Sequence, residues 1–241
     1  KSCTTNFTAN YVIDLARTYQ MKHDYVHHSD PIIEELSIRD ITSLKNGGTF
    51  KDLSLSVDEN YGLGYLKTIG FNHLQLMPVY GFGGVNEETK EDYNWGYNPM
   101  SYFSVSNYLT KDHHNPLGGI NELKELIDVT HSLNIGVVLD VVFNHVYNAA
   151  IFPYSILIPG YVFHTQDNGF LTNSSGCGND LNTTKSMIRK MIIDCLMYFK
   201  NEFKVDGFRF DLMDLIDVDT LNIAKTKLLE LDPNNLVYGE G

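Results

Sequence analysis

The sequence predicts an α/β fold built on a parallel sheet, and three observations predict it. Short apolar runs alternate with amphipathic stretches along the 241 residues, without tandem repeats or low-complexity tracts. The run Ile135-Gly136-Val137-Val138-Leu139 is apolar throughout, as expected of a strand buried on both faces. Two connections, 80–119 and 144–184, far exceed the usual length of about 4–6 residues, and both leave the carboxyl ends of expected strands.

In chain order, a strand is expected at 32–38, a short helix at 62–69 and a second strand at 73–79. The connection that follows is rich in aromatic side chains: Tyr93, Trp95, Tyr97, Tyr102, Phe103 and Tyr108. A helix at 121–133 follows from the spacing of Leu123, Leu126, Ile127 and Thr130, and leads into a strand at 136–142. After the second long connection, Ile188, Met191, Ile192, Cys195, Leu196 and Phe199 repeat on one face of a helix at 185–202. Strands at 205–211 and 236–240 then flank a helix at 221–230.

The candidate chemistry sits at the ends of these strands. In Val205-Asp206-Gly207-Phe208-Arg209-Phe210-Asp211, alternation puts Gly207, Arg209 and Asp211 on one face and both phenylalanines on the other. A guanidinium beside a carboxylate favours the ionised acid, which suits a nucleophile or charge stabiliser. Asp140-Val141-Val142-Phe143-Asn144-His145 ends another strand in polar groups that a purely structural strand has little use for. Leu236-Val237-Tyr238-Gly239-Glu240 ends a third in a carboxylate, and Tyr93-Asn94-Trp95-Gly96-Tyr97-Asn98-Pro99 holds the single tryptophan.

These motifs resemble those of a known family. Residues 140–145, 206–211 and 238–241 look like the first three signature regions of the alpha-amylase superfamily, glycoside hydrolase family thirteen, in their usual order. The 93–99 run resembles the hallmark of its type I pullulanases, with further agreement at 34–40, 147–161, 176–180 and 210–213. The resemblance implies a (β/α)8 TIM-barrel catalytic domain that hydrolyses alpha-1,6-glucosidic links in pullulan, glycogen or limit dextrins by a retaining mechanism. It makes Asp211 the nucleophile and Glu240 the acid/base, with carboxyls about 5–5.5 Å apart. Glu240 fits the donor's role if partial burial raises its pKa. Tyr97 is then the ring beneath the sugar, His145 and Arg209 surround that sugar, Asp140 supports the site and Trp95 contacts glucan. A buried tryptophan anchoring the loop is the competing reading for Trp95. Asn98 stands where many relatives carry an aspartate.

The family's fourth region, a His-Asp pair completing the catalytic trio, follows the glutamate and is not found in this sequence. Five strands are counted where a closed barrel needs eight. The expectation is therefore a barrel truncated after about the fifth strand, occupying 31–241 and weakly active or inactive alone. Residues 1–30 are expected to be a linker leaving an absent amino-terminal beta-sandwich domain. The open edge is expected to self-associate or to be completed by a second polypeptide.

A net charge of −12 argues against nucleic acid or an anionic membrane as partner and is indifferent to a neutral branched glucan. No apolar run approaches the ~18–20 residues of a membrane span. Three cysteines give no disulfide framework and fit a reducing, cytoplasmic setting, a secreted or cell-surface parent enzyme being the alternative, with Cys195 packing on a helix. His23 and His27 lack the glutamate of an H-E-x-x-H pattern, and His113-His114 lacks a carboxylate at ligand spacing, so no metal and no cofactor are assigned. The Gly81-to-Asn86 stretch is a poor dinucleotide loop, and no G-x-S-x-G elbow exists. Asp214, Asp217 and Asp219 read as a solvated rim. The rival readings are another activity of the superfamily, isoamylase-like or alpha-1,4-acting, and a non-catalytic body that binds glucan or protein.

Overall fold

The computed structural model describes residues 14–43 and 47–241. Its elements are β1 (Ile33–Leu36), α1 (Ile38–Thr42), α2 (Phe50–Ser54), α3 (Gly62–Leu66), β2 (His73–Leu76), β3 (Tyr80–Phe82), β4 (Pro99–Val105), α4 (Gly118–Ser132), β5 (Gly136–Val141), α5 (Pro153–Leu157), α6 (Ser186–Phe203), β6 (Gly207–Phe210), α7 (Val218–Leu231) and β7 (Leu236–Gly239). The five expected strands form one parallel sheet in the order β1-β2-β5-β6-β7, so the chain winds from each strand to its neighbour through helical crossovers. Between β2 and α4, β3 and β4 make an antiparallel hairpin that was not expected within the first long connection.

The register sorts the side chains into levels. Glu35, Gln75, Val138, Gly207 and Leu236 lie abreast, and two residues further along Asp140, Arg209 and Tyr238 do the same. Residues two apart share a face, so the polar level and the strand ends beyond it form one surface. The alternate residues Leu74, Leu76, Val137, Leu139, Val141, Phe208 and Phe210 join Leu126, Ile127, Ile192, Leu196 and Phe199 of α4 and α6 in one core. Each such buried side chain contributes roughly 1.5–3 kcal/mol relative to its exposed state.

Gly207 is where this packing is tightest. A Cβ there would lie 2.7 Å from Leu236 Cβ and 2.9 Å from the Leu236 carbonyl oxygen. Gly207→Ala is therefore expected to destabilise the fold by about 2 kcal/mol, the usual range of overpacking. Urea denaturation of the pair of proteins measures it, and equal midpoints would mean that β6 and β7 separate freely.

The helices depart from expectation at their ends, for local reasons. α6 runs one residue past its expected end and stops where Lys204 turns left-handed, at φ 52°. α7 begins three residues earlier than its apolar pattern, because Asp217 caps it: the carboxylate accepts from Thr220 N and pairs with Arg189 at 2.8 Å. Asp217 is thus a cap and not part of a solvated rim. α2 carries a reciprocal capping box between Thr49 and Asp52.

Residues 14–30, within the expected linker, run mostly without regular structure along α4. There Asp128 accepts from the backbone of Lys22 and His23 at 2.7 Å and from the Tyr19 hydroxyl at 2.9 Å. His23 and His27 consequently lie on no helix, and their i, i+4 spacing does not bring them to one face. Cys195 is buried as expected, its Sγ donating to the Tyr102 carbonyl at 3.1 Å, while Cys177 is exposed; Cys3 lies outside the described residues. No helix among the described residues is long and apolar enough to cross a membrane.

Candidate active site

Arg209 organises the carboxyl end of the sheet. From β6 its Nη1 donates to Asp140 Oδ2 at 2.8 Å and Asp211 Oδ1 at 3.2 Å, while Nη2 donates to Glu240 Oε2. Three acids from β5, from the end of β6 and from the end of β7 therefore converge on one planar cation. The in-register pairing of Asp140 with Arg209 makes this possible, since adjacent parallel strands place both side chains on the same face. A guanidinium offers donors in a fixed fork, which an ammonium does not.

Asp211 is held on both oxygens. Its Oδ2 accepts from Asn144 Nδ2 at 2.9 Å, and the same amide donates to the Asp211 carbonyl at 2.9 Å. Its backbone N–H extends the ladder to Val141. Leu212 follows at φ 42°, so the chain turns away sharply just past the carboxylate. A non-glycine residue in this region costs about 1–2 kcal/mol, and such strain collects at functional sites.

Burial and pairing act in opposite directions on Asp140 and Arg209. Asp140 is fully enclosed, and burial pushes its pKa up from 3.8 to about 6 against the Tyr97 hydrogen bond and the Arg209 charge. At Arg209 burial opposes the charge, but the pull of Asp140 prevails and holds the pKa above the ordinary arginine value. The difference follows from exposure, since the guanidinium keeps a wet edge and the Asp140 side chain has none.

Glu240 reaches Arg209 from just past β7, its side chain 56% exposed among the described residues. Its backbone is well fixed: Glu240 N donates to the Phe210 carbonyl at 3.0 Å, and Met213 N donates to the Glu240 carbonyl at 2.6 Å.

The aromatic loop joins this centre through Tyr97, whose hydroxyl donates to Asp140 Oδ2 at 2.7 Å. Burial, then the Asp140 charge, raise that phenol well above its usual range. His145 is buried, its Nε2 donating to the Tyr97 carbonyl at 2.9 Å and its Nδ1 touching Asn144 Oδ1; burial draws its pKa down. Trp95 stands apart. It is 54% exposed, and its indole N–H donates to the Tyr93 hydroxyl at 2.7 Å, so it is not a buried anchor. Asp211, Glu240, Asp140, Arg209, Tyr97 and His145 thus form one connected network through Asn144, and Trp95 bonds to Tyr93 outside it. A cavity of about 900 Å³ between the β3–β4 hairpin and α5 holds none of them.

Asn144 is the participant that the sequence reading left without a role, although it stood in the quoted 140–145 motif. Glu88 is the other surprise. It approaches His113 and His114, supplying the carboxylate that the sequence did not place at ligand spacing.

Parallel strands wound in sequence order, with an aspartate and a glutamate bridged beyond their carboxyl ends, define a β/α-barrel body of the glycoside-hydrolase type. The chain belongs to the alpha-amylase superfamily, and its five strands are part of a (β/α)8 catalytic barrel. The alpha amylase catalytic-domain model matches residues 60–156. The chain is similar to the pullulanase of Bacillus subtilis (strain 168), 38% identical over 228 residues that cover 90% of this chain and 32% of that protein. Isoamylase SU1, chloroplastic, of Zea mays is 31% identical over 199 residues, covering 79% of this chain and 25% of that one. A crystal structure of pullulanase complexed with maltotetraose from Anoxybacillus sp. LM18-11 superposes with a TM-score of 0.90 at 38% identity, over 95% of this chain and 36% of that one. The chain thus spans about a third or less of the length of these relatives.

Proposed function

We propose that the chain carries part of the catalytic domain of a debranching glycoside hydrolase that cleaves alpha-1,6-glucosidic links in pullulan, glycogen or limit dextrins. In this reading Asp211 attacks the anomeric carbon and Glu240 protonates the leaving oxygen, then activates water in the second half of a retaining cycle. Tyr97 stacks under the sugar, Trp95 meets the glucan chain, and Asp140, Arg209 and His145 hold the nucleophile and the sugar in place. The observation that carries the proposal is the single guanidinium joining Asp140, Asp211 and Glu240 beyond the carboxyl ends of adjacent strands. The maltotetraose complex of the Anoxybacillus relative supports an alpha-glucan as ligand.

Among the described residues the sheet holds five strands, and ligand binding and turnover are read separately. The test therefore has two arms. Trp95, the single tryptophan, should change its fluorescence on addition of maltotetraose and not of an unrelated disaccharide. Any maltotriose that the protein releases from pullulan should vanish with Asp211→Asn. Cleavage of amylose with pullulan left intact would instead assign an alpha-1,4 activity, and an unresponsive Trp95 would remove the tryptophan from the binding site.

A further inference from the structure

A cluster remote in sequence from the site's carboxylates also invites a chemical reading. Glu88, in the connection between β3 and β4, projects toward His113 and His114, which lie just before α4. The His113 and His114 Nε2 atoms lie 3.4 and 3.7 Å from Glu88 Oε2, and one ligand atom from each of the three residues falls within 4.8 Å of the others. A tetrahedral ion with bonds of about 2.0–2.1 Å holds its ligands about 3.3–3.4 Å apart. We propose that Glu88, His113 and His114 form a binding site for one divalent transition-metal ion, with zinc the best match.

Three features favour an ion over a chance meeting of side chains. First, His113 Nδ1 lies 3.4 Å from the Lys111 carbonyl, which can only accept. With an ion bound at Nε2, that carbonyl takes the Nδ1 proton, the outer arrangement usual for a metal-binding histidine. Second, the backbone on both sides is already fixed. Glu88 N and Thr89 N donate to Asn86 Oδ1 at 2.9 and 3.2 Å, and Lys111 N and Asp112 N donate to the Glu122 carboxylate at 2.9 and 2.8 Å. Lys90 Nζ ties the two segments together through the Thr110 carbonyl. Third, the remaining adjustment falls on His114, whose ring is mostly exposed and already lies 4.2 Å from that of His113, centroid to centroid.

Two imidazoles and one carboxylate select the ion by type. Calcium and magnesium demand oxygen-rich cages, whereas imidazole suits zinc, copper and nickel. Three protein ligands leave a fourth position for water. Bound there, the ion would clip the segment carrying Glu88 to the one entering α4. Glu88 lies five residues before Tyr93, and Arg39 and Tyr108 hold the intervening Asp92 carbonyl, so the clip would steady the approach to the 93–99 loop.

The test is calorimetric titration of the whole chain with zinc chloride after chelator treatment, beside His113→Ala, His114→Ala, Glu88→Gln and the double histidine variant. One ion per chain is expected, with each single histidine change weakening binding at least tenfold and the double change abolishing it. Calcium and magnesium chloride should give no comparable uptake, and zinc should raise the melting temperature of the parent but not of the double variant. Because the His114 side chain is mostly exposed, His114→Ala retains the fold and gives a clean reading even if His113→Ala does not. Binding of undiminished affinity in the double variant would place the ion elsewhere and overturn the proposal, as would no uptake at submillimolar zinc.

Discussion

Arg209→Met is expected to lower stability at pH 7.5 by about 3–5 kcal/mol, the cost of leaving buried charges without their partner. Among the described residues the guanidinium is the one cation bonded to Asp140, Asp211 and Glu240 alike. Methionine fills comparable space but leaves Asp140, which has no exposed surface, facing the carboxylate of Asp211. Arg209→Lys should recover only part of the loss, because a single ammonium cannot reproduce donors directed at three acids. Urea denaturation with a two-state fit reads both values. The loss should be smaller at pH 5, below the titration of Asp140 near pH 6. A loss under 1 kcal/mol at pH 7.5 would show that water replaces the guanidinium without penalty. In any polypeptide active on pullulan, the same change should lower kcat/KM by roughly 10²–10³-fold, the scale of a lost preorganised donor.

The parts of this centre that could be read from the sequence were those set by strand parity. Alternation alone put Arg209 and Asp211 together and sent Phe208 and Phe210 to the core, and all four positions are as expected. Helical spacing likewise located α6, whose six named apolar positions are all buried. What alternation cannot supply is register between strands. Asp140 meets Arg209 only because β5 and β6 pair with those residues abreast, and nothing local to either strand fixes that offset.

Other features escaped for different reasons. The β3–β4 hairpin lies in a stretch whose buried aromatics do not alternate cleanly with polar residues, as the mixed burial of Pro99–Val105 shows. α2 is too short for a periodicity argument, although Thr49-x-x-Asp52 is a readable capping signal. Glu88 comes to His113 and His114 only through the folding of a long connection, and a separation of 25 residues hides such a meeting.

Asp140→Asn should reverse a pH dependence of stability, and the sign follows from its raised pKa. The acid titrates near 4 when unfolded and at about 6 in the fold. Between these values the native state binds the proton more tightly, so its contribution to stability is full below pH 4 and is lost as pH rises through 6. A shift of about two units corresponds to about 3 kcal/mol. Asparagine mimics the protonated acid closely here. Oδ2 takes the bonds from Tyr97 and Arg209, and Oδ1 is buried without a partner, so an amide NH2 in its place displaces no donor. Stability of the parent minus that of Asp140→Asn should therefore fall by about 3 kcal/mol between pH 4 and pH 7, measured by urea titrations at unit intervals. Taking this difference removes the depressed acids elsewhere, such as Asp180 at about 2, whose contributions are common to both proteins. A flat difference would mean that Arg209 and Tyr97 keep Asp140 ionised across the range despite its burial. Pairing rather than desolvation would then govern the floor of the site.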